Sequence, residues 1–175
     1  MLRYLLLIAG FLGLLAVFAV GLTRDPSALP STYIGESAPA FDLPDLKNPE
    51  RRVNNGTLAG RMSLVNVWAT WCAGCRQEHG LLMELAASGR IPIYGINWRD
   101  NRNDALRWLA QYGDPYEMSG FDADGRVGID WGVYGAPETF LVDGNGIVLH
   151  KHLGPLDPVA WQRDFEPRLA AGAAQ

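Results

Sequence analysis

The sequence predicts an α/β domain, a mixed central sheet with flanking helices, preceded by one N-terminal transmembrane helix. Three observations carry that reading. Apolar β-rich runs alternate with amphipathic helical stretches, a hairpin signal and a last helix follow, and the first residues are almost wholly apolar.

The opening stretch, "MLRYLLLIAGFLGLLAVFAVGL", holds one charge, Arg3, and then runs apolar from Tyr4 to Leu22. At about 1.5 Å per residue the run nearly spans a hydrocarbon core of roughly 30 Å. A cleaved signal peptide has a shorter apolar core and a small-x-small exit, which Ala19-Val20-Gly21 matches only loosely. Residues 1–22 therefore read as an uncleaved anchor. No polar face recurs at helical spacing, which argues against a buried core helix. Arg3 and the amino terminus lie on one flank, and Arg24-Asp25 cancel on the other. The positive-inside bias then keeps the N-terminus cytoplasmic and exports the rest. Residues 23–40 contain three prolines and many small polar side chains, as a tether does. The domain proper is read as 41–171.

Within it, "SLVNVWA" (Ser63–Ala69) is a buried strand. "RQEHGLLMELAAS" (Arg76–Ser88) puts Leu81, Leu82, Leu85 and Ala86 on one helical stripe, and Gly89 stops it. "IPIYGIN" (Ile91–Asn97) is a second strand. "NDALRWLAQYG" starts on an Asn/Asp cap and ends at Gly113. "TFLVD" and "GIVLHKH" flank Gly144-Asn145, a tight antiparallel turn. "LDPVAWQRDFEPRLA" closes the chain as a helix, with Asp157 at its cap and Pro158 in its first turn. Two strands joined through a helix should be parallel, with a right-handed crossover. "FDADGRVGID" (Phe121–Asp130) resembles a calcium loop faintly but lacks the third acidic position and the bidentate Glu; it reads as a turn before a short helix.

Composition fits one core-bearing domain: 175 residues, 48% hydrophobic, 19% charged, formal net charge −4. The longest basic run is Arg51-Arg52, so no nucleic-acid footprint is present.

The chemistry centres on "NVWATWCAGCRQEH", which holds both cysteines of the chain, Cys72 and Cys75. As a structural staple the pair is a poor choice. So small a loop is worth about 2 kcal/mol of chain entropy, against about 3 for a fifteen-residue loop. Structural zinc needs four N or S ligands, and a second C-x-x-C pair is missing. Covalent haem attachment needs His after the second Cys, where Arg76 stands. No metal or other cofactor is expected. A thiol at a helix N-terminus, by contrast, faces unpaired N–H groups and the positive end of the helix dipole, which favour the thiolate. Cys72, at the cap and the more exposed, is the expected nucleophile. Cys75, one turn in, is the expected resolving thiol, and together they form a redox-active disulfide.

"WCAGC" after the strand "LVNVWAT" resembles a thioredoxin-fold active site. With "WGVYGAPETFLVDGNG" (Trp131–Gly146) and the N-terminal anchor, the chain closely resembles the DsbE/CcmG family, periplasmic thiol–disulfide oxidoreductases of cytochrome c maturation. The resemblance runs from about Tyr33 to Arg168. It implies a thioredoxin-like fold and a reductant of the haem-binding cysteine pair of apocytochrome c, directly or through a CcmH-type partner. It also implies electrons from a DsbD- or CcdA-type membrane donor and a single-pass place in the inner membrane, domain on the periplasmic side. Its nucleophile and resolving thiol fall on Cys72 and Cys75, its cis-proline on Pro137, and its active-site acids on Glu78 and Glu138. Glu138 is favoured over Glu78, because a charge entering a buried hairpin is harder to explain by solvation. Glu78 could merely complement the helix dipole, or accept the Cys75 proton. Trp71 should shield the thiols and offer a contact surface, while Trp68 belongs to the core. Where family members usually carry Pro after the first cysteine, this chain has Ala73-Gly74. A general exported thioredoxin-like reductase is the nearest alternative. A non-catalytic haem- or partner-binding module is a more distant one.

Overall fold

The computed structural model describes residues 2–22 and 33–172. An N-terminal helix, α1 (Leu2–Leu22), carries exposed apolar side chains from Tyr4 to Phe18. On the described residues alone, no helix is long and apolar enough to cross a membrane. Most of the segment read as a tether, and the flanking pair Arg24-Asp25, lie outside the described residues. Residues 33–40 lie against the domain: the Gly35 amide bonds to the Val148 carbonyl at 2.8 Å, and that of Ala38 to Gly146 at 2.8 Å.

The remaining elements run β1 (Asp42–Pro44), β2 (Arg52–Asn54), α2 (Asn55–Leu58), β3 (Ser63–Trp68), α3 (Ala73–Ser88), β4 (Ile93–Trp98), α4 (Arg102–Tyr112), β5 (Met118–Asp122), α5 (Arg126–Asp130), β6 (Glu138–Val142) and β7 (Val148–Leu153). The chain closes with α6 (Pro158–Ala160), a π-helical turn (Trp161–Phe165) and α7 (Glu166–Gly172). The main sheet has the order β5-β4-β3-β6-β7, with β3, β4 and β5 parallel and β6 antiparallel to both neighbours. This is the mixed sheet expected, with helices α3 and α4 as the crossover connections between parallel strands. Every residue of β3 and β4 is buried, as befits strands covered on both faces.

Along β3 the alternation is sharp. Leu64 and Trp68 pack into one core with Leu82 and Leu85 of α3, while Val65 and Val67 face a second core with Phe41, Trp131 and Phe140. Asn66 lies between Leu64 and Trp68 on the α3 side. Trp68 stacks on Tyr116 and meets Trp108, both at 5.4 Å between ring centroids.

Three local expectations are corrected. The α4 cap is Asn101, whose side chain accepts from the amides of Asn103 and Asp104, rather than Asn103 or Asp104 itself. Phe121 and Asp122 belong to an edge strand, β5, and only the residues after them form the turn and short helix. The stripe buried on α3 is Cys75, Glu78, His79, Leu82 and Leu85; Leu81 and Ala86 pack only partly against the core. Gly89 ends α3 at φ 64°, the left-handed cap that glycine takes without strain.

Candidate active site

The two cysteines lie where β3 gives way to α3, at the carboxyl end of the parallel strands. Cys72 is the helix cap, in extended conformation at φ −85° and ψ 110°. Its sulfur accepts the amide of Cys75 at 3.0 Å. In the reduced form the same N–H group would stabilise a thiolate, together with the helix dipole. The cysteines are joined as a disulfide, with Cα atoms 5.3 Å apart. The expected exposure of Cys72 is not seen: it is 6% accessible, against 3% for Cys75. The order is as expected, but the margin is small.

What covers them is visible from Gly74. A Cβ on this residue would stand 2.8 Å from Cδ of Pro137 and 3.0 Å from Cγ of Pro155. The Ala136-Pro137 bond is cis, and Pro137 accepts the Gly154 amide at 3.0 Å. Two proline rings thus lie against the dipeptide between the cysteines. Glycine is the residue that lets them approach.

Trp71 is 56% exposed beside the pair. Its indole N–H donates to the Arg99 carbonyl at 3.1 Å, and its ring lies 6.1 Å from that of Trp98. Arg99 takes a left-handed conformation, φ 49°. Asp100 ties the ends of β3 and β4 together. Its carboxylate accepts the Thr70 amide at 2.7 Å, the Thr70 hydroxyl at 2.6 Å and the Asn97 amide group at 2.9 Å. Sequence reasoning gave Arg99 and Asp100 no role.

The two acids differ in kind. Glu138 is buried, and Oε1 accepts the amides of Tyr134 at 2.7 Å and Gly135 at 3.1 Å. The Lys151 ammonium, itself buried, lies 2.9 Å from Oε2. Lys151 also donates to the Gly132 carbonyl at 2.7 Å and sits 4.7 Å over the ring of Tyr134. The pair therefore fixes the loop that leads to Pro137. The Glu138 charge is thus balanced within the fold by Lys151.

Glu78 is buried with no salt bridge to a cation among the described residues. Oε1 accepts from Asn66 Nδ2 and Oε2 from the Leu156 amide, both at 2.8 Å. Burial pushes its pKa up to about 7, and the two hydrogen bonds only partly offset that. A carboxyl poised there exchanges a proton readily near neutral pH. It stands one helical turn beyond Cys75 on the same buried face. The two acids thus differ in their surroundings, Glu138 being paired with a cation and Glu78 not.

Comparison with known proteins decides the lineage. The Redoxin family matches residues 34–165. A thiol:disulfide interchange protein DsbE from Allochromatium vinosum is 48% identical over 168 residues, covering 96% of this chain and 93% of that protein. The chain belongs to the DsbE family. The DsbE of Pseudomonas aeruginosa is 49% identical, covering 93% of this chain and 91% of its own. The crystal structure of a DsbE-type protein from Chlorobium tepidum superposes with a TM-score of 0.67 at 30% identity, covering 79% of this chain and 96% of that one. As a DsbE homologue with a C-x-x-C pair, the chain is a thioredoxin-like thiol:disulfide oxidoreductase of cytochrome c maturation.

Proposed function

We propose that the protein works as a dithiol reductant, held at the inner membrane with its domain on the periplasmic side. It would reduce the haem-binding disulfide of apocytochrome c, directly or through a CcmH-type partner. The observation that carries the mechanism is the pairing of a cap cysteine with a buried, uncompensated Glu78 one turn beyond its partner. The Cys72 thiolate attacks one substrate sulfur. The substrate disulfide breaks, a mixed disulfide forms, and the released sulfur takes up a proton. Cys75 then gives its proton to Glu78 and attacks Cys72 Sγ. The mixed disulfide breaks, the second substrate thiol leaves, and Cys72-Cys75 is left oxidised. Two electrons pass from the protein to the substrate, and a DsbD- or CcdA-type membrane dithiol donor restores them.

Pro137 has no N–H, so the backbone before it is open to an extended substrate segment. Trp71, exposed beside the thiols, gives an apolar contact surface. Glu138 and Lys151 hold the loop carrying Pro137. The anchor assignment of residues 1–22 rests on the apolar run of the sequence from Tyr4 to Leu22, which at about 1.5 Å per residue nearly matches the bilayer core; residues 33–40, bonded to Val148 and Gly146, go with the domain 41–171.

The test sets an oxidised peptide bearing a haem-binding C-x-x-C-H pair against insulin, each mixed with the reduced protein in stopped flow. The peptide should be reduced much the faster, and the Cys72→Ser variant should reduce neither. Equal rates on insulin would instead mark a general exported reductase.

A further inference from the structure

We propose that Asn66 is the positioning residue for Glu78, its amide N–H holding the carboxylate in place. This rests on the reading of Glu78 as proton acceptor for Cys75. Asn66 sits in the middle of the central strand and is fully buried. An amide there is costly unless every polar atom is bonded. It makes three side-chain bonds: Nδ2 donates to Glu78 Oε1 at 2.8 Å and to Thr139 Oγ1 at 3.0 Å, and Oδ1 accepts from the Tyr116 hydroxyl at 2.8 Å. Thr139 is its register partner on β6.

The Tyr116 phenol is pushed well above its ordinary range, first by burial and then by the nearby acids Glu78 and Asp114, so it keeps its proton. It thereby aims the amide oxygen away from Glu78 and the N–H towards it. The other donor to Glu78 is the Leu156 backbone amide. In the observed orientation both N–H groups and the oxygen of the Asn66 amide are engaged, and the N–H turned to Glu78 favours its ionised form. A turned amide would offer its oxygen to a protonated Glu78 but leave one N–H without a partner beside Tyr116, so this orientation is the one the fold holds. A leucine at this position could make none of these bonds.

The titratable groups around Glu78 are Cys75 and His79 on α3, Cys72 at its cap, and Tyr116 before β5 with Asp114 behind it. From β3 and β6 it is met through the neutral Asn66 and Thr139, and from the segment after β7 by the Leu156 amide.

The experiment follows the Glu78 carboxylic band by infrared spectroscopy against pH in the full chain, the band being assigned by its loss in Glu78→Gln. In parallel it times release of a mixed disulfide preformed on Cys72. Asn66→Leu removes a donor to the ionised form and should raise the Glu78 midpoint by about one unit. The midpoint of the release step should move with it. Asn66→Asp, nearly isosteric, guards against misfolding of the leucine variant: two carboxyls then share one proton and the band should titrate in two steps. A Glu78 midpoint unmoved in both variants would overturn the assignment of Asn66. A moved midpoint with an unmoved release step would sustain Asn66 while overturning Glu78 as the acceptor.

Discussion

Replacing Glu78 by Gln should flatten the dependence of stability on pH. In an unfolded chain this carboxyl ionises near 4.5, and in the folded protein burial raises it to about 7. Below 4.5 it is protonated in both states and contributes no difference. Between the two values the folded state binds a proton that the unfolded state does not, so stability falls as pH rises. Above 7 the full penalty of keeping a buried carboxylate is in place. A difference of about 2.5 units corresponds to about 3 kcal/mol. The neutral amide of Gln never ionises, so the variant lacks this slope. Any mismatch of its NH₂ with the Asn66 or Leu156 donor shifts its curve as a whole without tilting it. Other buried groups with raised or lowered pKa, such as Asp122 and His150, act equally in both proteins and cancel in the difference. The assay is urea unfolding of the oxidised protein from pH 4.5 to 8, read by tryptophan fluorescence. The wild type should lose about 3 kcal/mol more than the variant across that range. Parallel curves would refute the placement of an ionisable, uncompensated carboxyl at Glu78.

Two further substitutions probe the rest of the site. Lys151→Met leaves Glu138 buried without its counter-charge and should destabilise the fold by about 3 kcal/mol at pH 8, with much of this regained in Lys151→Met/Glu138→Gln; denaturant titration of the four proteins in that cycle checks it. Gly74→Ala brings a Cβ to 2.8 Å from Pro137 and 3.0 Å from Pro155. The overpacking, about 1–3 kcal/mol, should outweigh the roughly 1 kcal/mol that alanine contributes to helix propensity, so the melting temperature should fall; a higher one would show that the proline rings yield freely.

The elements legible in the sequence were those with strong periodicity or punctuation. β3 and β4 are continuous apolar runs, Gly89 and Gly113 end their helices, and Gly144-Asn145 sits between two alternating strands. β5 was not legible, because "MSGFD" carries a glycine and a serine where a strand usually carries branched side chains. The structure supplies the reason: a Cβ on Gly120 would stand 2.8 Å from Leu43 of the β1-β2 hairpin, and one on Gly95 only 2.5 Å from Ser119 Oγ. The cysteine pair could be placed at a strand-to-helix junction from local pattern alone. The surroundings of the two acids could not. Glu78 looks like a polar residue beside a leucine stripe, yet the stripe turned inward is the one through Cys75 and Leu82. Glu138 looks like an isolated charge, yet Lys151 waits on the next strand. Asn66 stands in an apolar run with nothing local to distinguish it. Its three partners come from α3, β6 and the segment before β5, so only tertiary structure brings them together.

The roles assigned to Cys72, attacking, and Cys75, resolving, are told apart by trapping. Cys75→Ser and Cys72→Ser variants, expressed in cells making c-type cytochromes, are quenched with acid and run without reductant. Cys75→Ser should accumulate a mixed disulfide through Cys72 with apocytochrome c or a CcmH-type partner, and Cys72→Ser should trap little. Equal trapping by both variants, or none by either, would contradict the assignment.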